Sequence, residues 1–343
     1  MQKILVTGGC GYIGSHTLID LIENGYAVVS VDSLLNSSED ALDGVERVTG
    51  VRVKNYAVDL TDLAAARAVF EQESDVAGII HFAALKSVGE SVDQPLRYYR
   101  NNLVSLLNIL DCARAFRVAN FIFSSSCSVY GNADELPVTE RTPRKAAESP
   151  YAATKQMGED IIRDFVQLDH GVNAILLRYF NPAGAHPSAE LGEAPSNPAS
   201  SLVPVITETA IGKRTRMQVF GDDYDTRDGS CVRDYIHVMD LANAHTKCFE
   251  YLAAEKNESR CEIFNVGIGE GATVLEAINA FKKVSGEELN YQIGPRRAGD
   301  VVSIYADNGK ANERLGWAPQ YDMAAIMDSA WKWEKRRSSF DVG

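Results

Sequence analysis

KILVTGGCGYIG, residues 3–14, runs from a continuous apolar stretch into a glycine-rich turn. The turn fits the spacing GxGxxG at Gly9, Gly11 and Gly14, and GxxGxxG if it is counted from Gly8. Glycines at these places allow a tight turn, a close approach of the backbone to a pyrophosphate and packing of a helix on a strand. Because an amphipathic helical pattern follows, the stretch predicts the strand, turn and helix that open a dinucleotide-binding fold.

An acidic residue stands where such a fold binds a ribose. Asp32 directly follows the next apolar run, Ala27–Val31. A carboxylate there accepts hydrogen bonds from the adenosine ribose and repels a 2′-phosphate, which favours NAD over NADP. Asp59 ends a third run, and two interpretations stay open for it: a contact with the adenine, or capping of the helix that follows.

Further apolar runs alternate with helical patterns along the first half of the chain. Such runs, buried on both faces and separated by helices, are typical of a parallel sheet covered on both sides. We therefore predict an α/β fold with a Rossmann-type doubly wound parallel sheet and a smaller C-terminal α/β lobe. The expected division is 1–180 for the NAD-binding domain, with a strand near 261–266 returning to it, and 181–343 for the mainly substrate-binding lobe. The predicted strands of the sheet are Lys3–Thr7, Ala27–Val31, Val51–Val58, Val76–Phe82, Asn120–Phe123, Asn173–Tyr179 and Cys261–Val266.

Composition excludes several classes of protein. The 343 residues carry a formal net charge of −13, with 45% hydrophobic and 24% charged residues, as in ordinary globular proteins. The acidic balance argues against binding to nucleic acid or to an anionic membrane. No run is long enough to span a membrane and the N-terminus does not resemble a signal peptide, so we expect a cytoplasmic protein. The six cysteines and six histidines show no metal-ligand spacing, so we expect no metal.

A second set of residues has the pattern of a catalytic group. Tyr151 and Lys155 are four positions apart and share one face of a predicted helix. A nearby ammonium and a nicotinamide cation would favour the phenolate and make the tyrosine a usable base. The run Phe123–Ser128 places serines at the carboxyl end of a strand, where open α/β sheets bind ligands. Some of these serines are expected to cap turns instead.

Together these features resemble the extended short-chain dehydrogenase/reductases. Four stretches, spread from the first strand to the last third of the chain, more specifically resemble the UDP-glucose 4-epimerase family. They are Gly11–His16, His81–Ser91, Leu177–Pro187 and Val232–Val238. The resemblance implies an enzyme that interconverts UDP-galactose and UDP-glucose through a 4-keto sugar, with tightly bound NAD, and that forms a homodimer.

The resemblance also implies roles for individual residues. Tyr151 is the expected base, Lys155 its partner at the nicotinamide ribose, and Ser126 a proton relay that also contacts substrate. The expected NAD-binding residues are Gly8, Gly11, Tyr12, Ile13, Gly14, Asp32, Asp59, Phe82, Lys86, Asn101, Tyr151, Lys155 and Tyr179. The expected UDP-hexose-binding residues are Ser126, Asn181, Ser201, Leu202, Phe220, Arg233, Arg297, Asp300 and Ile304. Arginines at the second set also suit a diphosphate in so acidic a protein.

The chain departs from the family pattern at two places. Ser200 and Ser201 stand where paired asparagines are usual, so one substrate contact is expected to be lost or bridged by water. Ile304 stands where the family varies the size of its sugar pocket, and its intermediate size leaves N-acetylated sugars open.

Alternative functions differ in substrate or in chemistry. A 4-epimerase of UDP-N-acetylglucosamine, UDP-xylose/arabinose or UDP-glucuronate is the first alternative, and a non-catalytic NAD-sensing module is the second. A 4,6-dehydratase is disfavoured because Cys127 and Ser128 follow Ser126 where an acidic residue is needed. The helices near Leu96–Phe116 and Tyr151–Leu168 are candidates for an intersubunit bundle, although their apolar faces could also pack within one chain.

Overall fold

The computed structural model describes residues 1–168, 171–195, 198–297 and 300–340. A parallel sheet of seven strands forms the centre of the larger unit. Its strands are β1 (Lys3–Thr7), β2 (Ala27–Val31), β3 (Asn55–Tyr56), β4 (Val76–His81), β5 (Asn120–Ser126), β6 (Asn173–Tyr179) and β11 (Cys261–Val266). The remaining strands are β7 (Asn181–Ala183), β8 (Met217–Phe220), β9 (Val232–Arg233), β10 (Tyr235–His237), β12 (Ala272–Thr273), β13 (Tyr291–Gly294) and β14 (Ser303–Ile304).

The order of the large sheet is β11-β6-β5-β4-β1-β2-β3, with every pairing parallel. The chain reverses its direction of growth between β1 and β4, and ligands of open α/β sheets bind at such a switch point. The predicted doubly wound parallel sheet is therefore confirmed, and Cys261–Val266 pairs with β6 as expected. The predicted strand over Val51–Val58 is too long. Only Asn55 and Tyr56 pair with β2, because this strand is at the edge and most of the residues around them are solvent-exposed.

Helices cover both faces of this sheet. The helices of the described residues are α1 (Tyr12–Glu23), α2 (Asp40–Thr49), α3 (Leu63–Gln72), α4 (Val88–Asp93), α5 (Pro95–Ala115), α6 (Pro150–Leu168), α7 (Leu202–Ala210), α8 (Val238–Ala253), α9 (Val274–Ser285), α10 (Gly309–Leu315) and α11 (Met323–Phe340). One apolar core lies between the sheet and α1, α2 and α8, and a second lies between the sheet and α3, α5 and α6. These two layers hold the carboxyl ends of the strands in fixed positions.

The part of the chain after β6 builds a smaller unit from short strands. Helices α7, α9 and α11 enclose a third apolar core around Ile206, Phe281 and Trp331. The neighbouring strands pair as β10-β7, β12-β9-β14 and β13-β8, in sheets of two or three strands. A fourth, small cluster around Tyr130, Phe180 and Ile304 lies between this unit and the large sheet. Short strands from distant parts of the chain therefore meet beside the carboxyl edge of the sheet.

The expectations about membrane spans and metal sites, and the state of the cysteines, can be compared with the described residues. Among them, no helix has the length and apolar character that crossing a membrane requires. All six cysteines are free thiols. The same residues contain no group of three or more histidine, cysteine or acidic side chains arranged to hold a metal ion.

Candidate active site

The glycine turn brings the chain close to itself at the switch point. Gly8 has a φ of +71°, and a Cβ atom there would lie 3.0 Å from the amide nitrogen of Ala83, just after β4. A Cβ on Gly14 would lie 2.2 Å from the carbonyl oxygen of Gly8. Any larger residue at either position would push α1 or the end of β4 away. These two glycines are therefore needed for the local backbone path, as the motif predicts.

Gly11 has a different role, because it opens the first turn of α1 to a ligand. It is the N-cap residue of α1, and no side chain caps this helix end. A Cβ on Gly11 would meet only the carbonyl oxygen of Gly8 within 4 Å, at 3.2 Å. The first N–H groups of a helix need a partner, and the helix dipole favours an anion there. The uncapped helix end, with Tyr12 and Ile13 in its first turn, fits the pyrophosphate of a dinucleotide.

Asp32 lies directly after β2, beside the glycine turn. Its Oδ2 accepts a hydrogen bond from the Cys10 amide at 3.0 Å, and its Oδ1 accepts from Leu34 N at 2.9 Å and from Ser37 Oγ at 2.7 Å. The side chain is therefore held in one orientation. A carboxylate oxygen accepts about two hydrogen bonds, so Oδ2 retains a place for a ribose hydroxyl.

Asp59 does not cap the helix that follows it. Its Oδ1 accepts from the amide of Thr61 at 2.9 Å and from the hydroxyl of Thr61 at 2.8 Å, which makes a local turn. Asp62 is the N-cap residue of α3 and accepts from Ala64 N and Ala65 N. Asp59 is therefore not the N-cap residue itself but fixes Thr61 in the turn that leads into α3, and contact with an adenine stays a prediction.

The other predicted NAD positions lie around the same edge. The Phe82 ring is 4.6 Å from the ring of His245 on α8, and Tyr179 shares a short hydrogen bond with Ser124. Asn101 on α5 donates to the side-chain oxygen of its neighbour Asn102 at 3.0 Å. Lys86 is exposed and reaches the carboxylate of Glu193 at 3.5 Å.

The proposed proton-transfer group is assembled from β5 and α6. Ser126 is the last residue of β5 and Tyr151 lies in the first turn of α6, and the Ser126 hydroxyl is near enough to the phenol to favour its charged form. Lys155 lies one turn later, is buried, and donates to the carbonyl oxygen of Ser124 at 2.5 Å. Its ammonium is 5.9 Å from the centre of the Tyr151 ring. The structure therefore brings all three predicted catalytic residues together at the carboxyl edge of the sheet.

Burial opposes charge at this group. It raises the pKa of Tyr151 well above its ordinary value, although the nearby Ser126 hydroxyl acts in the opposite direction. It also lowers the pKa of Lys155 to about 7, against the attraction of Glu159. Burial therefore favours the neutral forms of both side chains. The expected lowering of the tyrosine pKa requires positive charge to be brought into the site.

Glu159, which sequence analysis did not single out, supports this group from below. Its side chain is fully buried on α6, one turn after Lys155. It accepts from Ser125 Oγ at 2.6 Å and from two nitrogens of Arg178 on β6 at 2.8 and 2.6 Å. This bidentate pair ties α6 to β5 and β6 and so fixes the distance between Tyr151 and the serines. The spacing of Lys155 and Glu159 on one helix face was the available clue.

A second cluster of charges lies on the smaller unit. The carboxylate of Asp300 is 3.3 Å from Arg233 and 2.7 Å from Arg297. The Arg297 guanidinium also lies over the ring of Phe220, 5.5 Å from its centre. The predicted residues Phe220, Arg233, Arg297 and Asp300 are therefore neighbours although they come from separate segments. One carboxylate between two guanidinium groups leaves a net positive charge, which suits a diphosphate.

Ile304 connects this cluster to the catalytic group. It pairs with Arg233 in the register of β14 and β9, and its side chain is buried beside Tyr130 and Phe180. Cys127, the residue after Ser126, packs against the same cluster, and the Arg233 guanidinium opposes the effect of burial on its pKa. The two halves of the candidate site therefore adjoin each other.

Asp234 is a second residue that the sequence did not reveal. It is fully buried and accepts from the amides of Ile268 at 2.8 Å, Gly269 at 3.1 Å and Ala306 at 3.1 Å. These bonds join the end of β9 to the segment after β11 and to the end of β14. Arg233, its neighbour in sequence, is held in place by this arrangement.

The remaining predicted substrate positions are less fully tied down. Asn181 is half-buried at the start of β7, and its backbone N–H donates to the carbonyl oxygen of Asp234 at 2.9 Å. Ser201 is the exposed N-cap residue of α7, and its side chain makes no capping bond to the helix. Leu202 packs against the third apolar core. The serine pair thus leaves the start of α7 without the amide side chains of the usual asparagines.

Comparison with known proteins finds relatives over nearly the whole chain. Residues 5–330 match the family model described as GDP-mannose 4,6 dehydratase. The UDP-glucose 4-epimerase of Schizosaccharomyces pombe is 45% identical over 337 residues, which are 97% of this chain and 94% of that protein.

Solved structures extend the similarity to three dimensions. The UDP-glucose 4-epimerase of Bifidobacterium longum in complex with NAD+ and UDP superposes with a TM-score of 0.94 at 44% identity, covering 98% of this chain and 99% of that one. The enzyme of Stenotrophomonas maltophila with bound NAD and formylated UDP-arabinopyranose gives a TM-score of 0.95 at 39% identity, covering 99% and 100%.

Proposed function

This chain belongs to the UDP-glucose 4-epimerase family, and on that basis we propose that it interconverts UDP-galactose and UDP-glucose with NAD as bound cofactor. One observation carries the proposal: Ser126, Lys155 and the half-buried Tyr151 lie at the same edge of the sheet as an uncapped helix end and adjoin an arginine cluster. The helix end at Gly11 suits the pyrophosphate of NAD. The cluster of Arg233 and Arg297 suits the diphosphate of the substrate.

Tyr151 is the group proposed to move the proton. As a phenolate it takes the proton of the sugar 4-hydroxyl, and as a phenol it later returns a proton to the 4-keto oxygen. Ser126, whose hydroxyl lies near Tyr151, relays this proton and contacts the substrate. When bound, NAD supplies the hydride acceptor and donor for C4 of the sugar, together with a positive charge. Lys155, held on Ser124, steers the ribose of the cofactor and favours the phenolate.

The site must bind the diphosphate of the substrate tightly and leave the hexose free to rotate. Arg233, Asp300 and Arg297 hold the diphosphate, and Phe220 supplies a ring face beside them. The loosely held hexose would be free to turn over within the site, so that either face of its C4 could be presented to the bound cofactor. Ile304 forms part of the apolar wall near this sugar. The other proposed substrate contacts are Asn181, Ser201 and Leu202.

Cofactor binding is assigned to the carboxyl edge of the large sheet. Asp32 takes the adenosine ribose, and the first turn of α1 takes the pyrophosphate. The proposed NAD-binding residues are Gly8, Gly11, Tyr12, Ile13, Gly14, Asp32, Asp59, Phe82, Lys86, Asn101, Tyr151, Lys155 and Tyr179. We assign 1–180 and the strand β11 to the cofactor domain and the rest mainly to the substrate lobe.

The first experiment is to incubate the purified protein with UDP-galactose and no added NAD, and to assay for UDP-glucose. Product without added cofactor supports both the reaction and tight binding of NAD. Product only after NAD is added would support the reaction with a loosely held cofactor. No product in either tube would contradict the proposal, and UDP-N-acetylglucosamine, UDP-xylose and UDP-glucuronate would then be tested in turn.

The chemistry at Cys127 favours epimerisation over dehydration. Expelling a 6-hydroxyl requires an acid and a base beyond Tyr151, and a carboxylate after Ser126 would provide one. Burial raises the pKa of the Cys127 thiol to about 12, so it remains protonated and is a poor base. A dehydration product from UDP-glucose would contradict this assignment.

We further propose a homodimer formed through α5 and α6, which pack side by side. Leu96, Leu103 and Leu107 follow a spacing of seven and four on α5, which places them on one face. Leu96 is 73% exposed and Leu107 47%, and Met157 on α6 is 43% exposed. A self-complementary apolar face on two helices suits a four-helix bundle. Sedimentation should show a dimer that Leu107→Lys weakens, whereas a wild-type monomer would contradict it.

A further inference from the structure

An ion pair joins the loop after β4 to the segment that follows β7. The ammonium of Lys86, in the loop after β4, lies 3.5 Å from the carboxylate of Glu193. Glu193 ends the segment 184–193 that follows β7, here called the Glu193 hairpin. No motif in the sequence pointed to Glu193.

The Glu193 hairpin is firmly attached to the rest of the molecule. Ala185 and Gly192 form an antiparallel bridge, and the amide of His186 donates to the carbonyl oxygen of Leu191 at 2.9 Å. Leu191 is buried in the same apolar core as α1 and α2. The indole of Trp333 on α11 donates to the backbone oxygen of Glu193 at 2.9 Å. Glu193 is therefore presented by a fixed support.

The hairpin also touches the helix end that is proposed to bind the pyrophosphate. The hydroxyl of Tyr12, the first residue of α1, donates to the carbonyl oxygen of Gly184 at 2.6 Å. The charge of Glu193 adds to the effect of burial in raising the pKa of Tyr12. By pairing with Glu193, Lys86 is drawn towards the same helix end.

We propose that Lys86 and Glu193 form a strap that slows the exit of the cofactor, with Glu193 as a positioning residue for Lys86. The proposal rests on the proposed function, because it assumes NAD at the first turn of α1. The pair links the loop after β4, which lies against Gly8 of the glycine turn, to the Glu193 hairpin, which accepts the hydrogen bond of Tyr12. A cofactor that is restored in every turnover has no need to leave, so a slow exit is compatible with catalysis.

The asymmetry of the pair indicates which partner sets its geometry. The Glu193 side chain is only 14% exposed, whereas that of Lys86 is 67% exposed. A lysine ammonium has three donors, so it can bind a carboxylate and a phosphate oxygen together. Without Glu193, the flexible stem of Lys86 would sample many other orientations in solvent. The carboxylate of Glu193 therefore sets the orientation of the Lys86 ammonium.

The test is the exchange of bound NAD in the purified holoenzyme against an excess of isotopically labelled NAD. Glu193→Gln should speed this exchange about threefold to fivefold, the effect of one partly exposed ion pair. The matched control is Glu190→Gln. Glu190 lies on the same hairpin but pairs with Arg47 and Arg336, and its loss should leave the exchange rate unchanged.

A double substitution separates the strap from a general loosening of the hairpin. Lys86→Gln should also speed exchange, and adding Glu193→Gln should then have no further effect, since the pair is already broken. Additive effects, or an unchanged rate in Glu193→Gln, would overturn the strap. Slower exchange would also overturn it, because Glu193 would then act by repelling phosphate. A wild-type protein that neither contains nor binds NAD would overturn the proposed function, and the strap with it.

Discussion

The two halves of the candidate site are built in opposite ways. On the cofactor side, Gly8, Asp32 and Ser126 each stand at the carboxyl end of a strand in one parallel sheet. On the substrate side, Arg233 lies on a strand of two residues and Arg297 lies outside any strand, and Asp300 joins them. The first half depends on regular elements that local sequence specifies. The second depends on contacts between segments far apart in the chain.

This difference extends to the electrostatics of the two halves. The groups beside the sheet are buried, and the pKa values of Tyr151 and Lys155 both move towards the neutral form. The Arg297 side chain is 56% exposed, so its ion pair is screened by water, whereas that of Arg233 is 15% exposed. We therefore expect substitutions to have their largest effects on chemistry in the first half and on substrate affinity in the second.

The largest effect is expected from Tyr151→Phe, which removes the proposed base and little else. The turnover number should fall about a thousandfold, within the usual range for loss of a general base. Bound NAD should remain, because the ring still packs beside Ser126 and Lys155. Turnover measured with UDP-galactose and NAD content measured after denaturation test the two parts separately.

Tyr251→Phe is the control for Tyr151→Phe. It removes another buried phenol, on α8, whose oxygen accepts from Arg314 at 3.0 Å. Its turnover should be close to that of wild type. If Tyr151→Phe keeps near-normal turnover, the assignment of the base is wrong.

The contrast between the halves explains how much the sequence could predict. The strands at Lys3–Thr7, Ala27–Val31 and Asn173–Tyr179 have the predicted bounds, because a strand buried on both faces has a continuous apolar pattern. The edge strand was predicted too long, since half of its residues are exposed and the pattern there is weaker.

Site residues differ in the same way. Tyr151 and Lys155 are neighbours on one helix turn, so their contact follows from spacing alone. Asp234 accepts hydrogen bonds from three backbone amides of distant segments, and Glu159 on α6 binds Arg178 on β6. No local pattern specifies such partners. The residues Arg233 and Arg297 were singled out only through the family resemblance, and the structure shows that Asp300 lies between them.

The second prediction compares the two arginines of the substrate side. Arg233→Ala should raise the KM for UDP-galactose about a hundredfold, because it leaves Asp300 and a phosphate without a partly buried partner. Arg297→Ala should raise it only about tenfold, since its side chain is more exposed. Steady-state kinetics of both variants test the order.

The matched control is Arg296→Ala. Arg296 pairs with Asp223 and stacks on Tyr224, so it does not reach Asp300. Its KM should stay near that of wild type. An equal effect of all three substitutions would mean that net charge, not the geometry around Asp300, determines affinity.

The third prediction concerns Asp32, a carboxylate of the cofactor side that accepts three hydrogen bonds. Asp32→Asn keeps one acceptor oxygen, so one of the two backbone amides loses its partner, and the variant lacks the charge that repels a 2′-phosphate. The preference for NAD over NADP should fall about tenfold, the size of one hydrogen bond to a charged group. Titration of cofactor-depleted protein with each nucleotide measures the ratio. An unchanged ratio would place Asp32 away from the ribose.

The smallest effect is expected at Ile304, where the two halves meet. Ile304→Ala should open space beside Cys127 and raise the rate with UDP-N-acetylglucosamine relative to UDP-glucose several-fold, whereas Ile304→Tyr should lower that ratio. The alanine variant should also lose about 2–4 kcal/mol of stability, because the side chain is 5% exposed within a packed cluster.

The control is Val138→Ala, which makes a cavity in the same cluster from another segment of the chain. If it shifts the sugar ratio equally, loosening of the cluster, and not the position of Ile304 next to Arg233, determines which sugars fit.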